Sequence, residues 1–266
     1  MLLIKKYYRI AKIYVARLLV FRLRMVIWTL NDAVAIFVLP LVWLAAFGDK
    51  TQIQGLTKPE LVTYYIVLGI VFILATPHPE DHMNQEIKDG KVSIWLVRPF
   101  SYFKNYLMSD ALYRLVQAIV VLLLVPLVFF FYRDYLIFTN ITSLFLAIVA
   151  GSIGFLIFFQ LSFALGCAAF WLDDAYGVHN LYWFCTLVFG GALVPLEFLP
   201  KVLQSIAAVL PFRYFHYFPV KLYLNQLTTP EIIQGFMVQL LWFALAFVIY
   251  KTVWALGTKR YSAVGG

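Results

Sequence analysis

Two histidines four residues apart form the pattern in this sequence that most resembles a metal site. His78 and His82 would share one helical face, and two imidazoles one turn apart can bind a single metal ion. Carboxylates stand nearby, at Glu80, Asp81 and Glu86. Zinc hydrolases of the HExxH type need a glutamate directly after the first histidine, and this chain has Pro79 there. We therefore predict no metal site, and a metal bound without hydrolysis is the alternative.

Sequence motifs for ATP hydrolysis and for nucleophilic catalysis are missing. The single Gly-Lys pair, Gly90-Lys91, is followed by Val92 and has Gln85 where the first glycine of a phosphate-binding loop belongs. No Gly-x-Ser-x-Gly elbow occurs either. The chain is thus predicted to be no enzyme, to have no catalytic residues and to bind no cofactor of its own.

Polar side chains inside apolar runs are the next candidates for function. Charge at membrane depth is costly, so such residues often face a cavity. Asn31, Asp32 and Gln160 are the candidates for a substrate pathway, with hydrogen bonding between helices as the alternative. Asp110 and Arg114 stand four residues apart in another apolar run and are predicted to form a local ion pair.

The elements that must position these residues follow from composition. Of the 266 residues, 63% are hydrophobic and only 13% are charged, and the mean hydropathy is +0.85. This composition excludes a soluble domain, and apolar runs of about 20 residues fit α-helices that cross ~30 Å of hydrocarbon. We predict an all-α integral membrane protein with one transmembrane domain over residues 1–266. The net charge of +8 then indicates contact with anionic lipid, and no nucleic acid is expected.

Apolar runs predict six transmembrane helices, at residues 25–47, 61–77, 108–131, 141–170, 178–194 and 236–256. Residues 1–24 are basic, with apolar residues at helical spacing, which fits an interfacial helix or a basic flank of the first span. Lys and Arg indicate orientation because cytoplasmic loops carry more of them. Fourteen fall on the side of the termini and six on the other side. Both termini and the 78–107 loop are predicted to be cytoplasmic, in a bacterial inner (plasma) membrane.

The 78–107 loop contains signals for two short helices. Pro79 and the acidic residues after it suit a helix start, and Gly90 suits a helix end. Ser93 is predicted to cap a second helical turn, which Pro99 ends. The resulting helix would offer a charged and partly apolar face to the groove of a soluble partner, and its apolar residues include Ile87 and Trp95.

Prolines break the apolar stretch that follows the fifth predicted span. Residues 195–212, named the proline segment here, are too short to cross a membrane twice and are interrupted at Pro195, Pro200 and Pro211. We predict an external re-entrant pair of half-helices, because irregular backbone at membrane depth survives only where protein or water satisfies it. An ordinary proline-rich external loop is the alternative.

The 86–100 loop, the proline segment and the basic N-terminal segment all resemble parts of one protein family. "EIKDGKVSIWLVRPF" at residues 86–100 follows the second predicted span and resembles the first cytoplasmic loop of type-2 ABC exporter permeases, whose small six-span group has the pattern E-I-x-x-G-x-[ILV]-x-x-x-L-x-[RK]-P. The stretches "PLEFLP" and "LPFRYF" are similar to the external re-entrant segment of these permeases. The basic N-terminal segment resembles their interfacial helix, so the resemblance covers essentially the whole chain.

The resemblance implies a dimer of permeases, each with a coupling helix seated in a cleft of a cytoplasmic P-loop ATPase that binds ATP and Mg²⁺. The residues implied at that cleft are Glu86, Ile87, Lys88, Asp89 and Gly90, and those implied to fix the helix to the third span are Arg98 and Pro99. The re-entrant segment would contain Pro195, Glu197, Pro200 and Pro211. Further ATPase contacts are implied at residues 19–24 and at Asp173 and Asp174.

By this reading the chain is the permease subunit of an ATP-driven exporter for a hydrophobic or amphipathic substrate, such as a drug-like molecule, a lipid or a glycolipid. The second permease of the dimer is an identical or a related chain. An ion-coupled carrier or channel that works without ATP is one alternative, and a membrane anchor that recruits a cytoplasmic partner is another. The substrate itself does not follow from the sequence.

Overall fold

The computed structural model describes residues 12–16, 20, 22–172 and 175–261. Its α-helices are, in chain order, α1 (Arg22–Phe47), α2 (Lys58–Ala75), α3 (Pro79–Lys88), α4 (Val92–Leu96), α5 (Tyr102–Tyr132), α6 (Ile141–Gly166), α7 (Tyr176–Phe189), α8 (Lys201–Val209), α9 (Tyr217–Tyr223) and α10 (Thr229–Arg260). Short 3-10 turns lie at Arg133–Tyr135, Cys167–Phe170, Leu196–Phe198 and Pro211–Tyr214. One two-residue hairpin, β1 (Gln52–Ile53) paired with β2 (Leu56–Thr57), precedes α2. The predicted all-α class is confirmed.

In the described part of the chain, five helical segments are long and apolar enough to cross a membrane: Val26–Phe47, Lys58–Ala75, Tyr102–Tyr135, Ile141–Phe170 and Thr229–Arg260. They correspond to five of the six predicted spans. The remaining prediction, residues 178–194, coincides with α7, which has only 14 residues. At 1.5 Å per residue α7 is about 21 Å long, less than the ~30 Å of hydrocarbon. The count of six single-helix spans is therefore not confirmed.

Contacts divide the chain into two compact units. The first comprises Met1–Leu74 and Phe103–Ile137, and the second comprises Ala75–Tyr102 and Phe138–Gly266. In the first unit α2 is antiparallel to α1, because a side chain on Gly69 would meet Ile36 and Trp43 stacks on Tyr65 at 5.8 Å. The helix α5 is parallel to α1: Gln117, at the middle of α5, bonds Thr29 in the first half of α1, and Tyr132, at the end of α5, bonds the carbonyl of Phe37 farther along α1.

In the second unit α6 and α10 run parallel to each other. Gln239 Nε2 donates to the Ala150 carbonyl at 2.7 Å, and about three turns farther along both helices Phe163 packs on Tyr250 at 5.9 Å between ring centroids. A side chain on Gly257 would meet the ring of Phe170 at 2.2 Å. Two parallel helices that follow one another require the chain between them to return over their length.

That return is made in two helical pieces. The helix α7 begins beside α3, which lies at the C-terminal end of α6, and reaches Phe158 in the middle of α6 through Tyr182, with ring centroids 5.4 Å apart. The helix α9 covers the other half, since Tyr214 before it contacts Gly154 and Asn225 after it accepts a bond from Ser143 near the start of α6. The predicted fifth span, residues 178–194, thus corresponds to α7, and α9 completes the return along α6.

Two of the long helices begin with the same local signal. α2 follows Thr57 and α10 follows Thr228, and each threonine is followed by x-Pro-Glu. Glu231 accepts from the backbone N–H of Thr228 at 2.8 Å, and Glu60 accepts from that of Thr57 at 2.8 Å. Such capping boxes satisfy N–H groups at the helix start that have no partner within the helix.

The N-terminal prediction is only partly covered by the described residues. Residues 12–16 are helical, and the hydroxyl of Tyr14 donates to the side-chain carbonyl of Asn105. Residues 1–11, 17–19 and 21, on which the interfacial-helix prediction depends, lie outside the described part, as do Asp173 and Asp174.

Candidate functional site

The helix α3 has the ends that the sequence predicts. Pro79 is its first residue, and a loop closes it at Gly90, whose φ of +72° is in the left-handed region. The N–H of Gly90 donates to the Ile87 carbonyl at 3.2 Å, and that of Lys91 donates to the Glu86 carbonyl at 2.9 Å. These two bonds form a Schellman motif, in which glycine is favoured because it carries no Cβ.

The second short helix differs from its prediction at Ser93. Lys91 precedes the first residue of α4, so Ser93 lies inside the helix. Its hydroxyl donates back to the Gly90 carbonyl at 2.6 Å, and its N–H points to the hydroxyl of Tyr261 at 3.3 Å. The prediction that Ser93 caps α4 was wrong, because α3 and α4 join through a tight turn that leaves no extended capping residue. The helix does end before Pro99.

One face of α3 packs against the end of α6 within the second unit. A side chain on Gly166 would meet Met83 at 3.0 Å and the Cα of Glu80 at 3.1 Å, so α3 lies directly against the end of α6. Ile87 is 5% exposed. The prediction that Ile87 offers an apolar face to a partner was therefore wrong, because the chain itself covers this side chain.

Tyr102 connects α3 to the long helices, and sequence reasoning missed it. Its hydroxyl donates to Glu86 Oε2 at 2.9 Å, its ring stacks on Trp254 of α10 at 5.1 Å, and Trp95 of α4 packs on its edge at 5.7 Å. Arg98, predicted to fix the helix to the third span, instead places its guanidinium over Trp95, 4.9 Å from the ring. Pro99 is exposed. Tyr102 is the first residue of α5, so its bond to Glu86 joins α3 to the start of that helix. The role of Arg98 and Pro99 at the third span stays a prediction.

The opposite face of the α3–α4 turn is open and carries charge and apolar surface together. Lys88 and Asp89 are exposed. Hydrogen bonds from Lys91 and from Gln85, each 2.7 Å long, hold the pKa of the Asp89 carboxyl below its ordinary value. Apolar side chains stand beside this polar group, at Ile94 (49% exposed), Leu96 (48%) and Val97 (83%). We name this outer surface, residues 85, 88–91, 94, 96 and 97, the α3–α4 face.

A polar recess of about 180 Å³ adjoins the α3–α4 face. It lies where α3 meets the start of α7, and its lining consists of Asn84, Gln85, Lys88, Ala175, Tyr176 and His179. A recess of this size accepts a side chain rather than a drug-sized molecule. The recess thus opens beside the exposed charged and apolar side chains of the α3–α4 face.

The histidine pair does not lie on a shared metal site in the described structure. His78 precedes α3, with its Nδ1 3.3 Å from Glu80 Oε1 and its ring 5.4 Å from that of Trp183. His82 is exposed. Within residues 12–16, 20, 22–172 and 175–261, no three His, Cys, Asp or Glu side chains come together as metal ligands.

The intramembrane polar residues fall in different units. Asn31 is exposed and Asp32 half-buried on α1 in the first unit, and Gln160 is buried on α6 in the second. The local pair was predicted correctly: Arg114 Nε lies 3.4 Å from Asp110 Oδ2. The guanidinium also donates to the carbonyl of Ile73 at 2.7 Å and to Gln117 at 2.7 Å, so it links α5 to the end of α2.

The proline segment forms a 3-10 turn and the short helix α8, and an ion pair with α9 holds the turn in place. Pro195 and Pro200 precede the turn Leu196–Phe198 and α8, and Pro211 begins the next turn. Lys221 of α9 pairs with Glu197, and the Tyr217 hydroxyl donates to Glu197 Oε1 at 2.7 Å. Burial acts to raise the pKa of Glu197, but the charge and hydrogen bond of Lys221 and the bond from Tyr217 outweigh it, so that pKa lies below its ordinary value.

We expect Glu197→Gln to destabilise the fold by about 3 kcal/mol, because it leaves the charge of Lys221, whose side chain is 8% exposed, without its counter-ion. The value is at the low end for buried pairs since the Glu197 side chain is 33% exposed. The measurement is the midpoint of thermal unfolding in detergent. With a lowered pKa in the folded state, the pair stabilises the protein above the carboxyl's ordinary pKa and is lost only as pH falls through the lowered value.

The control is the double variant Glu197→Gln/Lys221→Met, which removes both charges and should regain most of the lost stability. Its midpoint should also depend less on acid pH than that of the unsubstituted chain. Equal midpoints for the single variant and the unsubstituted protein would show that the pair is energetically neutral.

Comparison with known proteins agrees with this architecture. The family of ABC-2 family transporter proteins matches residues 33–265, nearly the whole chain, including α3, α4 and the proline segment. No curated protein and no solved structure matches the chain. A match of this extent shows the family and confirms the resemblance noted from the 86–100 loop. The chain belongs to the ABC-2 family of transporter proteins and is a multi-pass transmembrane permease of the ABC type.

Proposed function

We propose that this chain is the permease subunit of an ATP-driven exporter, and that a separate cytoplasmic P-loop ATPase binds and hydrolyses ATP with Mg²⁺. The observation that carries the proposal is the α3–α4 face. It is exposed, mixed in charge and apolar character, and adjoins a recess that fits a protein side chain. An ATPase docked there would press on a helix whose other face is anchored by Tyr102 and Gly166.

This anchoring explains how a docked motor would act on the membrane helices. The backbone of α3 lies against α6, and Glu86 is bonded to Tyr102, whose ring stacks on α10. Because packed interiors deform little, displacement of α3 would be passed to α6 and α10 as rigid elements. The residues implied at the ATPase cleft thus divide by role: Lys88 and Asp89 face the motor, Gly90 shapes the turn, and Glu86 and Ile87 anchor the helix.

We propose a hydrophobic or amphipathic substrate, a dimer of permeases and a bacterial inner membrane with both termini cytoplasmic. The excess of Lys and Arg on the side of the termini supports the orientation. Asn31, Asp32 and Gln160 are the proposed pathway residues, and the proline segment is the proposed external re-entrant element. Its turn Pro211–Tyr214 packs at the middle of α6, as expected of a segment that enters the membrane from one side.

The test is purification of the tagged chain from its own membrane in mild detergent, with mass spectrometry of the proteins that accompany it. A stoichiometric P-loop ATPase supports the proposal, and a second, related permease in the same sample would identify a heterodimer. A chain that purifies alone and transports fully without ATP would refute ATP coupling and favour an ion-coupled carrier.

Val97→Asp should release that ATPase. Val97 is 83% exposed at the end of α4, so an aspartate costs the permease little but would have to be desolvated at the docking site. We expect the amount of co-purified ATPase to fall by about tenfold, which corresponds to about 1.4 kcal/mol of binding. The control is Phe138→Asp, in the connection between α5 and α6 and outside the candidate spans, where the phenylalanine is 72% exposed. ATPase retained by Val97→Asp, or lost equally in both variants, would contradict docking on the α3–α4 face.

A further inference from the structure

A buried hydrogen bond joins the segment before α3 to the turn after the proline segment. Thr76 Oγ1 lies 2.8 Å from His216 Nε2, and the two residues are 140 positions apart in sequence. Thr76 is 2% exposed and His216 is not exposed at all. Since water does not reach either group, breaking this bond without replacing it leaves polar atoms unsatisfied in an apolar interior.

Thr76 lies in the short connection that leads into α3, so a movement of α3 would displace it. It lies three residues before Pro79, the first residue of α3, and the residues between are Pro77 and His78. The ring of His78 packs on Trp183 of α7. With proline fixing part of its backbone, this short connection has little slack, and a displacement of α3 carries Thr76 with it.

His216 stands where the proline segment meets α9. It directly precedes α9 and follows the turn Pro211–Tyr214. Its ring lies 6.1 Å from that of Phe158 in α6, and a Cβ on Gly190 would be 3.3 Å from its Nδ1. The imidazole is thus held between α6 and α7, and a pull on its Nε2 moves the backbone at the start of α9.

We propose that the hydrogen bond between Thr76 and His216 transmits movement of α3 to α9 and the end of the proline segment, which makes Thr76 and His216 positioning residues of the transport cycle. The inference rests on the proposed function, because it needs an ATPase that moves α3. It goes beyond that function by naming the contact through which nucleotide binding on one side would reach the segment proposed to be external.

The experiment measures hydrogen exchange in the co-purified permease–ATPase complex in phospholipid nanodiscs, without nucleotide and after trapping with ATP and vanadate. For the unsubstituted complex we expect nucleotide-dependent changes in peptides covering residues 79–97 and residues 211–223. In Thr76→Val the response at 79–97 and the rate of ATP hydrolysis should persist. The response at 211–223 should fall by about fivefold or more, the lower range of coupling between two sites.

Two further variants separate a lost link from a damaged fold. Thr76→Ser keeps the hydroxyl and should respond like the unsubstituted complex. Thr186→Val removes another buried hydroxyl, one that bonds to the Tyr182 carbonyl of its own helix at 2.9 Å, and should leave both responses intact. His216→Leu should reproduce the effect of Thr76→Val from the other side of the bond.

The outcomes distinguish the two proposals. Failure of any ATPase to co-purify, or no response at residues 79–97 in the unsubstituted complex, would overturn the proposed function and this inference with it. A full response at residues 211–223 in Thr76→Val, with ATPase bound and α3 responding, would overturn the inference alone. An equal loss of both responses in Thr186→Val and Thr76→Val would also overturn it, since any buried hydroxyl would then have the same effect.

Discussion

Gly90→Val is expected to abolish ATP-dependent transport while the chain still inserts into the membrane. Gly90 has a φ of +72°, a region that costs an L-residue about 1–2 kcal/mol and is a clear outlier for a β-branched one. A strain of about 2 kcal/mol disfavours the turn roughly 30-fold. Because the turn places Lys88 and Asp89 on the α3–α4 face, its loss removes the proposed docking surface. The measurement is transport per unit of inserted protein.

The matched control at this position is Gly90→Asn. Asparagine adopts the left-handed region more readily than other residues with a side chain, and the two bonds that close α3 use only backbone atoms. We expect Gly90→Asn to retain most of its transport and to co-purify the ATPase. Normal transport by Gly90→Val would refute the role of this turn, and equal loss in both variants would show that bulk, not backbone conformation, is what matters there.

Short-range signals predicted the ends of α3 well. Pro79 and Gly90 each act within a few residues of their own position: proline because its missing N–H is not needed in the first turn, glycine because it alone has no Cβ to clash. The prediction that Ser93 caps α4 was wrong because of the residues just before it. The turn after Gly90 leads directly into α4, so the hydroxyl of Ser93 bonds backward to Gly90 instead of starting a helix.

Hydropathy could not predict that the return along α6 is made by two helices. Mean hydropathy does not register where a helix ends, and α7 and α9 are separated by the proline segment. The sequence does contain a signal for the start of α10. The predicted span began at residue 236, seven residues after the helix starts, because it was placed from the apolar run alone and not from the capping residues. The Thr-x-Pro-Glu stretch at residues 228–231 gives the correct start, as the same stretch at 57–60 does for α2.

The long-range contacts lay beyond single-sequence reasoning. With 17 tyrosines and 25 phenylalanines in the chain, nothing local distinguishes Tyr102, which bonds Glu86, from the tyrosines that merely pack. Likewise, Thr76 and His216 are ordinary residues until the fold brings them together. What the sequence predicted of the candidate site was its backbone; which side chains anchor it depends on packing.

Gly154→Val should destabilise the fold strongly and abolish transport, because it drives a side chain into fixed backbone. A Cβ at this position would stand 2.7 Å from the Tyr214 carbonyl oxygen and 3.1 Å from that of Phe215. The Tyr214 carbonyl cannot easily give way, since Gln239 Nε2 of α10 donates to it at 3.1 Å and to the Ala150 carbonyl at 2.7 Å. We expect destabilisation of about 2–3 kcal/mol, typical of overpacking, and loss of transport as the Pro211–Tyr214 turn is displaced.

The control is one turn away on the same helix. Gly151 has no atom within 4 Å of a built Cβ, so Gly151→Val makes the same chemical change in α6 without the clash and should keep its midpoint of thermal unfolding and its transport. Both variants replace glycine by valine inside α6, so the change in helix propensity is the same in each. Any difference in their midpoints therefore reports the close approach of the Pro211–Tyr214 turn to α6. Equal midpoints for the two variants would mean that the turn can move away from Gly154, and the rigid contact at the middle of α6 would then be wrong.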